Sequence, residues 1–243
     1  MAESSKTVNL ALAVLRRVPD APTPTATALA LDLGTSRQAV LRCLRSLEQF
    51  DMVHQDGSGW VLGRGVLELA HRATGDLVNA LRPTLVDLAA TWNETALVAL
   101  PVGDQAVAAD QVMALGRMVR IDYAVGSAYD LTVGAHGRAI LAFHPVRDTL
   151  AATDPVRAEI RSIRKQGYAV SHDEIESGVT GVAAPILDAD SNAIASIGIV
   201  APTHRVSRIA ELANAIMATA SQATRQLATS QLANPPHLDR LRR

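Results

Sequence analysis

Ser36, Arg37, Gln38, Leu41, Arg42 and Arg45 fall within ten consecutive residues, and their types and spacing suit contact with nucleic acid better than any other chemistry in the chain. On a helix they share one outer face, while Val40, Cys43, Leu44 and Leu47 recur at intervals of three and four and form an apolar stripe on the other. Ser36 is placed to cap that helix by accepting a bond from a free backbone N–H. The residues just after such a cap are the ones that meet base edges in a major groove, which puts Arg37 and Gln38 in the reading position. An arginine-bearing face is also what any solvated helix presents, so the arginines alone decide nothing.

Catalytic and metal chemistry find weaker support. Ser171, His172, Asp173 and Glu174 hold nucleophile, base and acid types, yet adjacent residues on a turn point in different directions and do not form a Ser–His–Asp relay. The histidines include no pair at a four-residue helical spacing, and there is one cysteine, so no zinc site and no other cofactor is expected. No phosphate-cradling G-x-x-x-x-G-K-[ST] run occurs.

The elements around the candidate reading helix have a meaningful order. Ala26 to Asp32 reads as a short helix with Leu29 inward, Gly34 supplies a turn, and the Ser36 helix follows. Met52 to Gln55 and Trp60 to Leu62 then read as two strands about the turn Asp56-Gly57-Ser58-Gly59. Helix, glycine turn, capped helix and hairpin make a winged helix-turn-helix.

The whole chain has 243 residues, a net charge of −1 and 3% aromatic residues. That length accommodates a small domain and a larger one. Near-zero net charge argues against wholesale coating of nucleic acid and requires a local patch, which the stretch Leu33–Leu47 provides with three arginines and no acid. The single cysteine, Cys43, permits no intrachain disulfide and is expected to be a small core residue. With no signal-like segment, and no run near the roughly 20 apolar residues a membrane span needs, a soluble cytoplasmic protein is expected.

The expected domains are a winged helix-turn-helix over 1–65, a linker helix over 66–82, a larger domain over 83–229 and a tail over 230–243. Thr7–Arg17 reads as a first helix packing through Val8, Leu12 and Leu15. Val66–Ala80 reads as a helix broken at Arg82–Pro83, with Pro83 starting the next helix and Leu85, Leu88 and Ala89 on its apolar side. Beyond it, Ala96–Leu100, Gln105–Ala109, Met118–Ile121 and Ala193–Val200 read as strands, and Arg138–Phe143, Ile160–Gln166 and Ile209–Leu227 as helices. The fold class is α+β, an antiparallel sheet with helices packed on it.

Taken together these residues resemble the IclR (isocitrate-lyase-regulator) family of bacterial transcription factors, from Thr7 to about Leu227. The likeness rests on Leu29 through Gly34, Ser36 to Leu47 and Trp60-Val61-Leu62-Gly63. It rests more specifically on Leu131 to Ala142, where the family usually reads Gly-Lys-Ala-x-Leu-Ala and this chain has Gly137-Arg138-Ala139. Ile163 to Ala169, Glu174, Gly178-Val179, Ala183-Ala184-Pro185-Ile186 and Ala201-Pro202 follow in the family's order.

The resemblance implies an N-terminal winged helix-turn-helix and a GAF-like effector-binding domain. It implies a dimer or dimer of dimers, a palindromic double-stranded operator and a small-molecule effector. Mapped onto this chain, the pocket candidates are Met118, Ile121, Leu131, Ala135, His136, Val179, Gly181, Ile197 and Gly198. Gly181 stands where the family often has a polar or cysteine side chain, and Ser171-His172 where a carboxylate often frames the pocket, so a reshaped pocket is expected. His136, an imidazole among small residues, is the candidate best able to bond a ligand, with a structural bond to the backbone as the rival reading. An enzyme that kept a helix-turn-helix for dimerisation, and a constitutive architectural DNA-binding protein, stay open as alternatives.

Overall fold

The computed structural model describes residues 5–70, 76–145, 147–150 and 153–229, and the expected tail over 230–243 and part of the expected linker helix lie outside them. The chain divides into two compact units, residues 1–75 and 76–243.

In the first unit, α1 (Lys6–Arg17), α2 (Ala26–Asp32) and α3 (Arg37–Glu48) precede a hairpin of β1 (Val53–Asp56) and β2 (Gly59–Leu62), and α4 (Arg64–Ala70) follows it. Thr25 and Ser36 cap α2 and α3, each accepting from the backbone N–H three residues on at 3.2 Å. Gly34 supplies the left-handed turn between those helices at φ +59. Val14, Leu29, Val40, Cys43, Leu44, Val53 and Trp60 form one core. The expected packing of α1 is corrected: Val8 and Leu12 are 55% and 54% exposed, and Val14 is the fully buried residue, supported by Leu10, Ala11 and Leu15. Burial raises the pKa of the Cys43 thiol, despite the opposing charge of Arg42.

The second unit is a six-stranded antiparallel sheet, in the order β5-β4-β3-β8-β7-β6, between two helical layers. Its strands are β3 (Thr95–Val102), β4 (Gln105–Val112), β5 (Ala128–Asp130), β6 (Ala169–His172), β7 (Val179–Leu187) and β8 (Ala193–Pro202). The period of two sorts the side chains. Val98, Val182, Ile197 and Ile199 meet α5 (Asp76–Trp92) and α9 (Ile209–Thr229) through Leu81, Leu85, Leu212 and Ile216. On the other face, Ala99 and Ala183 meet α6 (Gly134–Leu141) and α8 (Asp154–Gln166) through Ala139, Ile140, Ile160 and Ile163. A short helix, α7 (Arg147–Leu150), precedes α8, which closes on Gly167 at φ +87.

Two expectations for this unit are overturned. Helix α5 runs through Pro83. The proline lies on the exposed side, where water can satisfy the carbonyl it leaves without a donor, while Leu81, Leu85 and Leu88 hold the buried side. Met118–Ile121 is not a strand, because its backbone is bonded by side chains rather than by a ladder. Arg205 donates to the Val119 carbonyl at 3.2 Å, and the Thr95 hydroxyl donates to that of Ile121 at 2.7 Å.

Candidate functional site

The first candidate surface is the outer face of α3. Arg37, Gln38, Arg42 and Arg45 are exposed there, and among the described residues none of the three arginines has a carboxylate partner. Ser36 is spent on the cap. Leu41 is half-buried against the core of the first unit, which corrects its expected outward placement. The hairpin beyond α3 is held against the loop before α2, where the Trp60 N–H donates to the Pro24 carbonyl at 3.0 Å. Gly59 and Gly63 permit close approach, since a Cβ would stand 2.3 Å from the Thr23 carbonyl oxygen and 2.0 Å from that of Asp51, respectively.

The second candidate lies between the sheet and the start of α6. A cavity there has an accessible volume of about 40 Å³, equivalent to a few water molecules. Leu97, Ala106, Ala108, Val179, Gly181 and Val200 provide its sheet wall. Ala135 and His136 come from the first turn of α6, and Tyr123 and Tyr129 close it from the flanking loop and β5. The two tyrosine rings meet edge to face at 5.9 Å. Ser171 and the segment Glu174 to Glu176 also line it.

His136 is the central polar group. It is 8% exposed, and its Nδ1 lies 3.0 Å from the Ser196 hydroxyl on β8. Its Nε2 is buried with no hydrogen-bond partner, and the residue faces the cavity. Burial lowers its pKa to about 4, so the ring is neutral near pH 7. Tyr123 is pushed up to about 12, first by burial and then by Tyr129 and Glu176, and stays protonated. An unpaired imidazole nitrogen in an apolar cavity is costly unless something supplies the missing bond.

Arg138 holds the lining residue Glu174 in place. Its guanidinium bonds the Thr132 carbonyl at 3.0 Å, Glu159 at 2.8 Å and both oxygens of Glu174. Glu174 also accepts from the Gly134 N–H at the start of α6, at 3.1 Å. Arginine in place of the lysine usual in the resembled motif supplies these parallel donors.

Of the nine expected pocket residues, the structure brings Ala135, His136, Val179 and Gly181 together. Met118 is fully exposed, because the loop carrying it is anchored through neighbouring carbonyls. Ile121 packs on the cluster of Leu97, Tyr123 and Val200 without lining the cavity. Leu131 is fully buried in the core beneath α6, and Ile197 points to the opposite sheet face. Gly198 lies where a Cβ would stand 2.1 Å from the Val182 carbonyl oxygen, so it serves strand packing. Tyr123, Tyr129 and Glu176 were not anticipated as lining, and Ser171 was placed at the pocket only by the resemblance. The tyrosines come from segments without periodicity, and the pairing of β6 with β7 sets Ser171 opposite Gly181 on the cavity wall.

The Ser171-His172 pair forms no catalytic couple: Ser171 faces the cavity, whereas exposed His172 bonds the Thr180 hydroxyl at 2.8 Å. Among the described residues no cluster of three or more His, Cys, Asp or Glu is placed to hold a metal, and no helix is long and apolar enough to cross a membrane.

Known proteins match this architecture. Residues 144–225 fit the family described as bacterial transcriptional regulator IclR, C-terminal. HTH-type transcriptional regulator Rv1719 of Mycobacterium tuberculosis is 28% identical over 208 residues, covering 78% of this chain and 80% of the relative. The crystal structure of a putative ICLR transcriptional regulator from a Silicibacter species shares the fold with a TM-score of 0.81 at 24% identity, over 91% of this chain and 96% of that one. An IclR homolog from Microbacterium hydrocarbonoxydans, complexed with 4-hydroxybenzoate, shares it with a TM-score of 0.76 at 16% identity, over 91% of this chain and all of that one. The winged helix-turn-helix, the sheet enclosing a cavity and regulators matched along most of the chain converge: the chain is similar to IclR-type bacterial transcriptional regulators, and its residues 144–225 match their C-terminal domain.

Proposed function

We propose that this protein is a cytoplasmic, ligand-responsive regulator that reads a specific double-stranded operator through α3 and senses a small molecule in the cavity beside His136. The observation that carries the reading is the outer face of α3, a Ser-capped helix whose three arginines have no acidic partner among the described residues. Arg37 and Gln38, in the first turn after the cap, are assigned to base edges, and Arg42 and Arg45 to phosphates. A homodimer, or a dimer of dimers, presents paired reading helices to half-sites roughly 34 Å apart or a multiple of it, so the operator is an imperfect palindrome.

Ligand binding alters operator affinity through whatever differential contact the ligand makes in the two states of the protein. Such coupling is typically about 1–3 kcal/mol, enough to change occupancy several-fold or more. A neighbour that shares the fold is complexed with 4-hydroxybenzoate, which supports a small organic molecule as the ligand. The unpaired Nε2 of His136 supports a ligand with a hydrogen-bonding group at that point. Relatives named as regulators, and the separation of Ser171 from His172, support regulation over turnover.

The test is selection of bound sites from a random DNA pool with the full chain, followed by operator binding with and without a metabolite library. One enriched palindrome whose occupancy responds to a compound supports both halves of the reading. Absence of any enriched sequence overturns the assignment of Arg37 and Gln38.

A further inference from the structure

The cavity's polar lining contains no cation. Its polar side chains are His136, Ser171, Tyr123, Tyr129, Glu174 and Glu176, with no lysine or arginine among them. The sources of positive potential beside it are already engaged by the protein's own carboxylate: Glu174 takes both the Arg138 guanidinium and the Gly134 N–H at the start of α6. A second ligand carboxylate would have to displace Glu174 or sit among like charges in an apolar enclosure, and His136, neutral near pH 7, offers it no compensating charge.

We infer that the cavity takes an uncharged ligand, a small, mainly apolar alcohol or phenol whose hydroxyl bonds His136 Nε2. This rests on the reading of the cavity as the regulatory site. The Ser196 hydroxyl can either donate to Nδ1 or accept from it, which leaves Nε2 as a donor or an acceptor respectively. A hydroxyl satisfies both tautomers. A carboxylate only accepts, an ammonium only donates, and each brings a full charge to be desolvated. The apolar sheet wall and the edge-to-face tyrosines suit the ligand's hydrocarbon body.

Because the cavity is small, any ring must displace side chains such as Ile175 and Val179 on entering, so the discriminating comparison holds size constant. The experiment is calorimetric titration of the full chain at pH 7 with benzyl alcohol, benzoate and benzylamine. Benzyl alcohol is expected to bind at least tenfold more tightly than either ion. His136→Ala should weaken it about tenfold, and Gly181→Val should abolish it by filling the cavity; the second variant decides the matter if the first does not fold.

Tighter binding of benzoate or benzylamine overturns the uncharged class while leaving the cavity as the ligand site. Equal binding of all three, or alcohol binding unaffected by Gly181→Val, overturns it as well. Failure of all three to bind also overturns it, and the cavity reading then fails separately if Gly181→Val leaves every operator response to the metabolite library intact.

Discussion

A neutral imidazole enclosed behind a sheet makes this fold sensitive to acid. His136 is protonated near 6.5 in an unfolded chain but only near 4 in the folded one, so the unfolded state binds the extra proton between those values. The associated stability is fully present above about pH 6.5 and is lost as the pH falls towards 4, by about 3 kcal/mol in all. Burial lowers the pKa of His144 as well, adding a loss of the same sign. Denaturant unfolding of the second unit should therefore weaken across that window, and His136→Gln should flatten the dependence; an unchanged slope would mean that His136 gains its proton without unfolding. At the other site, Arg37→Ala should cost roughly 1–3 kcal/mol and relax preference at one operator position, measured by binding to single-base variants. A loss equal across all sequences would make Arg37 a phosphate contact. Arg37, Arg42 and Arg45 were legible as one face because helical periodicity is a local property. Met118 was not, because its exposure is decided by Arg205, which holds the carbonyl of the next residue, Val119, 86 positions along the chain from it.

Secondary elements follow the same division between local and distant causes. Helix α2, the Ser36 cap and the wing hairpin were legible from a few adjacent residues, and the structure places them as expected. Strands β6 and β7 were not assigned from the sequence. The glycine and small residues of β7 carry little strand signal of their own, and pairing with β6 and β8 fixes them. Pro83 was read as a break for a sound local reason, yet burial of one side of α5 prevails over one lost bond at its exposed side. Pairing also brings Gly181 to the cavity wall, where a Cβ would stand 3.0 Å from the Ser171 hydroxyl oxygen and 3.3 Å from the Ala135 methyl. Gly181→Val should therefore remove the ligand response in operator-binding assays while leaving ligand-free operator affinity within about twofold. Gly63→Ala should do the converse: the clash with the Asp51 carbonyl disturbs the wing and lowers operator affinity, with ligand binding to the second unit intact.

Across the whole molecule, charge is arranged rather than abundant. A net charge of −1 leaves the attraction for DNA to local arginines, so operator binding should be strongly salt-dependent. Arg42→Ala should reduce the slope of log affinity against log salt by about one per removed phosphate contact, whereas Arg37→Ala should change sequence preference more than slope. Division into two units also means that thermal or denaturant unfolding need not be a single transition, and each unit requires its own reporter. Cys43 provides one. It is the sole cysteine, 4% exposed, on the helix assigned to the operator. A thiol reagent can reach it only when the first unit opens, so the rate of alkylation is a clock for that opening alone, readable by mass in the unlabelled natural chain. Slowing of that clock by operator DNA would measure, in time rather than affinity, how firmly the duplex holds the reading head closed.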